Sequence, residues 1–594
     1  MRPSEAYASR LADREARIGV LQRVVRRFGT ARLSLAAAAL AIGWMAWHAH
    51  WFSARWLFLP LAAFLAIVIV QSRRRRELTR TLRQAVFYRR AIARLEDRWA
   101  GTRCQGRPTD DTYHVYAADL DLFGEGSLFE LLCAARTAMG EQTLAPWLLG
   151  PADLLELRGR QESIEDLRQR LDLRERIAVL GEDGATIAQP LKQAAWARTA
   201  NVLARPGLGI LAAALPAALL SATLWGWIRG EWMPAMLILA AEAAALYWLR
   251  RRIEPTLGGA AAADAAGGLR AFAQLLHCVE HEPFGSNPLR ALQGELVSGD
   301  RRGSAAMGRL AWIGAFAEAR ESLAVRWFLT IPLLYPLQVA LAAERWRAHH
   351  GADVPRWIEA TGRFEALVSL AQYRFEHPDF PYPRFEDEAG LLEARGLGHP
   401  LLPAARCVPN DVRLSERVPL LLVSGSNMSG KSTLLRAVGL NVVLAMAGAP
   451  VCAQSLRLAP MSLGASIRVT DSLREGQSRF SAELGRLRQI VALAESGATL
   501  LFLIDELLQG TNSHDRRAGA EGLLHALLAR GAVGIITTHD LALTDMPALA
   551  GRVNNVHFRE TLSAGQMHFD YTLHPGVVQT RNGLELMRAM GLQV

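Results

Sequence analysis

The run Val418-Pro419-Leu420-Leu421-Leu422-Val423 leads directly into Gly425-Ser426-Asn427-Met428-Ser429-Gly430-Lys431-Ser432-Thr433, and no other stretch restricts the fold as strongly. An unbroken apolar run of this length, ended by turn residues, reads as a buried strand. The G-x-x-x-x-G-K-[ST] spacing then requires a tight turn opening a helix. Its two glycines let backbone N–H groups wrap a phosphate, and the lysine reaches the outer oxygens. Residues 425–433 are therefore candidates to bind a nucleotide. Within them, Lys431 serves as a catalytic cation and the Ser432 hydroxyl meets Mg²⁺ at a helix N-terminus.

Two later strands fit the same α/β module. Leu500-Leu501-Phe502-Leu503-Ile504 ends in Asp505-Glu506. A carboxylate at that place can share Mg²⁺ with Ser432, and the next one can polarise an attacking water, so Asp505 is assigned to metal and Glu506 to catalysis. Val533-Gly534-Ile535-Ile536-Thr537-Thr538 ends at His539, whose imidazole is placed to sense a γ-phosphate. Between the glycine-rich turn and Asp505-Glu506, Asp471 through Glu483 is polar and turn-rich ahead of an amphipathic helix; its simplest reading is a helix-capping loop.

Upstream, the chain carries apolar segments of bilayer length. Leu33 to about Phe52 contains no acidic residue, Lys or Arg, and Trp44, Trp47 and Trp51 crowd its far end, as interface aromatics do. Trp56 to Gln71 follows and is stopped by Arg73-Arg74-Arg75-Arg76. A second pair, Leu208–Ile228 and Trp232–Leu249, is joined by Arg229-Gly230-Glu231 and closed by Arg250-Arg251-Arg252. The excess of arginine beside the spans puts the long segments in the cytoplasm. The alternative is that these helices are buried in a large helical core, and Glu242 within the fourth span keeps that alternative open. Trp327 to Ala343, interrupted by Pro332 and Pro336, reads as a soluble core helix. Residues 78–100, 152–200 and 260–375 are helical by pattern.

Composition supports several cores in one chain. There are 594 residues with 51% apolar side chains and a net charge of +10, a balance compatible with either nucleic acid or an anionic membrane surface. Cys104, Cys133, Cys278, Cys407 and Cys452 show no C-x-x-C spacing, which implies neither a zinc site nor a disulfide framework.

The motifs together resemble the MutS family of DNA mismatch repair ATPases. GSNMSGKSTLLR at 425–436 is similar to the family's GPNMGGKST-x-x-R, departing at Ser426 and Ser429. Gly398-His399-Pro400 and Val408-Pro409-Asn410-Asp411 resemble segments that border the nucleotide base, which makes His399 and Asn410 binding residues by resemblance. Ser478-Arg479-Phe480 through Glu483 resembles S-T-F-x-x-E with Arg479 in place of threonine, and Asp505 through Gly510-Thr511-Asn512 resembles D-E-x-x-x-G-T. Leu120 through Phe129 and Arg136 through Pro151 look like the start of the family's helical core. In ABC-type ATPases a serine at the place of Ser478 reaches across a dimer to the partner's nucleotide, so the resemblance implies a catalytic Ser478 and a homodimer with composite sites. Phe316-Ala317-Glu318 lies in the helical part, away from where the family carries its mismatch-reading wedge.

The expected fold is multidomain: a cytosolic basic lead-in at 1–32, a membrane hairpin at 33–71, a helical core segment at 72–200, a second hairpin at 201–252, a helical lever region at 253–397 and an α/β P-loop ATPase domain of ABC/MutS type at 398–594. The resemblance implies ATP and Mg²⁺ as ligands and DNA as partner, with the chain held as a multi-pass protein at the inner face of the cytoplasmic membrane. The competing expectation is an ATP-driven tethering, remodelling or scaffolding module that does not recognise DNA.

Overall fold

The computed structural model describes residues 2–45, 58–101, 106, 114–180, 196, 203, 206–264, 268–298, 301–426, 429–468, 479–497, 499–509, 513–563 and 566–578. The chain divides into two compact units, Met1–Trp99 with Leu171–Ile187, and Ala100–Arg170 with Ala188–Val594.

In the first unit, helices Pro3–Trp44 and Phe58–Leu95 pack along each other, and Leu171–Leu180 packs on the second of them. The basic lead-in and the first apolar segment as far as Trp44 thus form one continuous helix, as do the second apolar segment from Phe58 onward and the arginine-rich stretch after it. Their polar parts meet around Glu175, whose carboxylate accepts from Arg14 Nε at 3.0 Å and from the Tyr88 hydroxyl. Burial and Glu175 together push the Tyr88 hydroxyl pKa well up. Leu33, Leu40, Trp44, Phe58, Leu61 and Leu65, in the apolar parts, are exposed.

The second unit begins helical. Gly207–Arg229 and Met233–Gly258 are long and apolar enough to cross a membrane, and only 11% of each apolar window is buried. That exposure does not fit the alternative of helices buried in a protein core. Gly230 turns the pair at φ +78°, and Glu242 is fully buried. Helices Gly268–Glu280, Asn287–Glu295, Gly303–Ala319, Leu323–Phe328, Tyr335–His350 and Val354–Glu376 follow. The single helix expected over Trp327–Ala343 is instead broken. Leu334 sits in the left-handed region at φ +46°, and Pro332 and Pro336 flank the break, where a proline deprives a helix of an N–H donor. Trp327 is exposed rather than in the core.

The α/β part starts at a small sheet of β3 (Arg384–Phe385), β4 (Leu392–Leu397), β5 (Asn410–Leu414) and β7 (Ser455–Leu458); a separate short pair, β1 (Val297–Ser298) and β2 (Arg301–Arg302), lies among the helices. The main sheet contains β6 (Leu420–Ser424), β8 (Ser462–Ser466), β9 (Leu500–Ile504), β10 (Val533–Thr538), β11 (Val553–Ser563) and β12 (Gln566–Pro575) in the order β12-β11-β6-β10-β9-β8. All neighbours are parallel except β11 and β12. Strands β6, β9 and β10 are buried at every residue, as expected for a parallel sheet covered on both faces. Phe502 fills the space beside Gly534, where an added Cβ would lie 2.3 Å from its ring. Thr538 pairs with Ser424 and Ile536 with Ile504, so β6, β10 and β9 end side by side.

Candidate functional site

The turn after β6 is shaped by two glycines with positive φ, Gly425 at +151° and Gly430 at +101°. Gly430 caps helix Lys431–Met446, so the free N–H groups of that helix's first turn open where the strands end. Inside the turn, the Ser429 N–H and hydroxyl both donate to Ser426 O, at 3.2 and 2.8 Å. Lys431 is buried; its ammonium donates to Gly425 O at 2.8 Å and Ser426 O at 2.9 Å and lies 3.8 Å from Glu506 Oε1. Burial pushes the Lys431 pKa down, against an opposing pull from Glu506 and Asp505.

The carboxylates lie beside it. The Ser432 hydroxyl donates to one oxygen of Asp505 and the Thr537 hydroxyl to the other. Thr537 Oγ1 also accepts from the Glu506 N–H at 3.1 Å, so the ends of β9 and β10 are tied at the site. Glu506 adopts φ +52° and Leu508 φ +57°, a conformation non-glycine residues rarely hold outside functional turns. Gln509 donates to Glu506, and His539 Nδ1 lies 3.4 Å from Glu506 Oε1. Arg516 supports the same turn through Leu508 O at 3.1 Å and Gln509 O at 3.2 Å.

A cavity of about 780 Å³ adjoins this cluster, with Gly430, Ser432 and Thr433 on one wall and His399, Asn410 and Tyr571 among the others. Burial, with the nearby Arg436 charge, pushes His399 down to about 4, leaving a neutral imidazole near pH 7. Asn410 spends its side chain on β12, donating to Tyr571 O at 2.9 Å and accepting from the Leu573 N–H at 2.7 Å. It shapes the wall as well as lining it.

Of the residues expected from the sequence, Gly425, Ser426, Ser429, Gly430, Lys431, Ser432 and Thr433 gather with Asp505, Glu506 and His539 at the strand ends, and His399 and Asn410 share the adjoining cavity. Asn427, Met428 and Ser478 lie outside the described residues, as do Gly510-Thr511-Asn512. Sequence reasoning missed Thr537, Gln509 and Arg516, although Thr537 lies only two residues before His539. It also missed Asp119 and Asp121. Asp119 accepts from the Ile467 and Arg468 N–H groups, each at 2.7 Å, and Asp121 pairs with Arg436 at 3.0 Å and with Arg468.

The donor set suits a magnesium-bound nucleotide. A helix N-terminus beside a buried ammonium matches polyphosphate, and the adjacent Ser432 hydroxyl and Asp505 carboxylate are hard oxygen ligands. The fold and this cluster define a largely helical protein with a C-terminal α/β domain whose functional groups meet at the carboxyl ends of parallel strands, the usual ligand position in such sheets.

Residues 421–593 match the family MutS domain V. The chain is 36% identical over 243 residues to Endonuclease MutS2 of Thermus thermophilus, covering 40% of this chain and 31% of that protein. It is 30% identical over 276 residues to the DNA mismatch repair protein MutS of Geobacillus kaustophilus, covering 44% and 29%. With MutS of Lactococcus lactis it shares 29% identity over 216 residues, covering 35% and 26%. The likeness to the MutS family thus rests on this C-terminal domain. The matched segments span less than a third of these relatives' lengths.

Proposed function

We propose that the chain is an ATP hydrolase of the MutS type, working as a homodimer at a membrane and clamping DNA. The observation that carries the hydrolase reading is the convergence of Lys431, the Ser432–Asp505 pair and the Glu506–His539 pair at the ends of three adjacent strands. In this reading the first-turn N–H groups of Lys431–Met446 and the Lys431 ammonium hold the β- and γ-phosphates. Ser432 and Asp505 hold Mg²⁺, which neutralises charge on the phosphate oxygens. Glu506 orients the attacking water and takes its proton, while His539 and Gln509 keep the carboxylate aimed. The neutral His399 and the wall around Asn410 receive the base. Ser478 completes the partner's site, so ATP joins two subunits.

Membrane attachment by the apolar pairs at 33–71 and 201–252 draws support from the exposure of their apolar side chains, with the α/β domain on the cytoplasmic side by the positive-inside rule. DNA as the clamped partner draws support from the likeness to DNA mismatch repair proteins MutS. The same exposed helices favour a second reading, in which hydrolysis drives membrane tethering or remodelling without DNA.

ATP turnover by the detergent-purified full chain, with and without duplex, branched and mismatched DNA, separates these readings. Glu506→Gln is expected to abolish turnover. DNA stimulation with a steep salt dependence favours the clamp, and DNA-indifferent turnover favours the tether. Absence of Glu506-dependent turnover under all conditions rejects the hydrolase itself.

A further inference from the structure

Helices Gly303–Ala319 and Tyr335–His350 run side by side. The Trp346 indole donates to Ala306 O at 2.7 Å near one end, and the Tyr335 hydroxyl donates to Phe316 O at 2.8 Å near the other. The short helix Leu323–Phe328 forms the apex between them. That apex carries a concentration of uncovered apolar side chains: Leu323, Trp327 and Phe328 are 73%, 75% and 74% exposed, and Trp312, Phe316 and Leu333 extend the patch. A soluble surface seldom concentrates aromatic area in this way.

The position of the patch indicates what covers it. Arg320 pairs with Glu254 at 3.7 Å, two residues beyond Arg250-Arg251-Arg252, where the Met233–Asp264 helix leaves its apolar stretch. Gln338 donates to Ala212 O at 3.3 Å, and Leu334 and Leu337 share a core cluster with Ala212, Ile253 and Leu257. Ala212 lies near the start of the opposite apolar helix, where Arg345 also sits beside Gly209. The apex therefore stands against the end of the helix pair that the arginine cluster marks as the headgroup level. Exposed Arg326 and Arg345 add positive charge there, suited to anionic lipid.

We propose that residues 323–333, with Trp312 and Phe316, form an interfacial element that embeds in the inner leaflet of an anionic phospholipid bilayer beside the Pro206–Arg229 and Met233–Asp264 pair. The proposal rests on reading that pair as membrane spans. The bilayer then grips the helical region carrying Val354–Glu376 as well as the spans, so movement of these helices is felt by lipid directly.

The test is photolabelling of the full chain reconstituted into vesicles of phosphatidylcholine and phosphatidylglycerol that contain a phospholipid with a diazirine in its acyl chain near the ester. Adducts are located by peptide mapping. Adducts within both 207–249 and 323–333 are the expected result. Labelling of 207–249 with none in 323–333 overturns the proposal, keeps the spans and leaves the patch to a protein partner or a second copy. An unlabelled 207–249 rejects the span reading and this proposal with it. Because Trp327 and Phe328 are exposed, the double substitution Trp327→Ser, Phe328→Ser is expected to leave labelling of 207–249 unchanged and to lower that of 323–333 severalfold. Unchanged labelling of 323–333 in this variant also overturns the proposal.

Discussion

Glu483 accepts a hydrogen bond from the Leu508 N–H at 2.7 Å, joining helix Arg479–Glu495 to the left-handed turn that carries Glu506. The turn is conformationally costly, and a buried carboxylate from the preceding helix holds it. Replacing Glu483 with Ala is expected to lower kcat by about 100-fold, the scale of a misplaced catalytic group, with a much smaller change in KM. Glu483→Gln keeps an acceptor for the Leu508 N–H and is expected to stay close to the parent. Steady-state ATP hydrolysis of the two variants checks this.

Asp119 offers a parallel case at the segment that follows β8. One buried carboxylate oxygen accepts two successive N–H groups at the end of the segment leading toward Ser478, and Asp119→Ala leaves both donors without a partner. A cost of about 1–3 kcal/mol is expected for such a loss. It should be read as a lower thermal midpoint of the purified chain and faster proteolysis between residues 467 and 480.

Glu365 sets a pH dependence. Complete burial pushes its carboxyl up to about 7, although the Thr137 hydroxyl and Arg136 N–H both donate to it. The folded chain therefore holds this proton more tightly than the unfolded chain. Its contribution is full below the unfolded pKa near 4.5 and declines as pH rises toward 7, on the order of 1 kcal/mol per pH unit. Glu365→Gln is expected to flatten the unfolding midpoint across that window and to be more stable than the parent at pH 8. A midpoint in the parent that rises through the same window contradicts this assignment.

Gly534 and Phe502 test the sheet. Gly534→Ala puts a Cβ into the Phe502 ring, and overpacking of this kind costs on the order of 1–3 kcal/mol. Adding Phe502→Leu should restore part of the loss. Thermal midpoints of both single variants and the double variant form the cycle that measures it.

The glycine-rich turn, both carboxylates and His539 were legible in the sequence because each follows an uninterrupted apolar strand, and parallel strands buried on both faces have that composition. Asp119 and Asp121 were not legible. Their partners at Arg436, Ile467 and Arg468 lie more than three hundred residues away, and no local periodicity records such pairing. The break at Leu334 was missed because hydropathy does not distinguish an apolar helix from apolar residues either side of a turn, although Pro332 and Pro336 carried the signal. The continuity of Pro3–Trp44 was hidden for a related reason: the basic-to-apolar change at residue 33 alters the helix's surroundings without altering its backbone.

The cavity beside Gly430 is walled by Asp121, by the stretch from Leu397 to Asn410, by the start of helix Lys431–Met446 and by Phe558 and Tyr571. A molecule filling it would act as a removable staple between parts of the chain that meet only in the folded state. Resistance to heat would then grow with the logarithm of ligand concentration, and a melting curve becomes a titration, able to rank nucleotides by fit without any turnover.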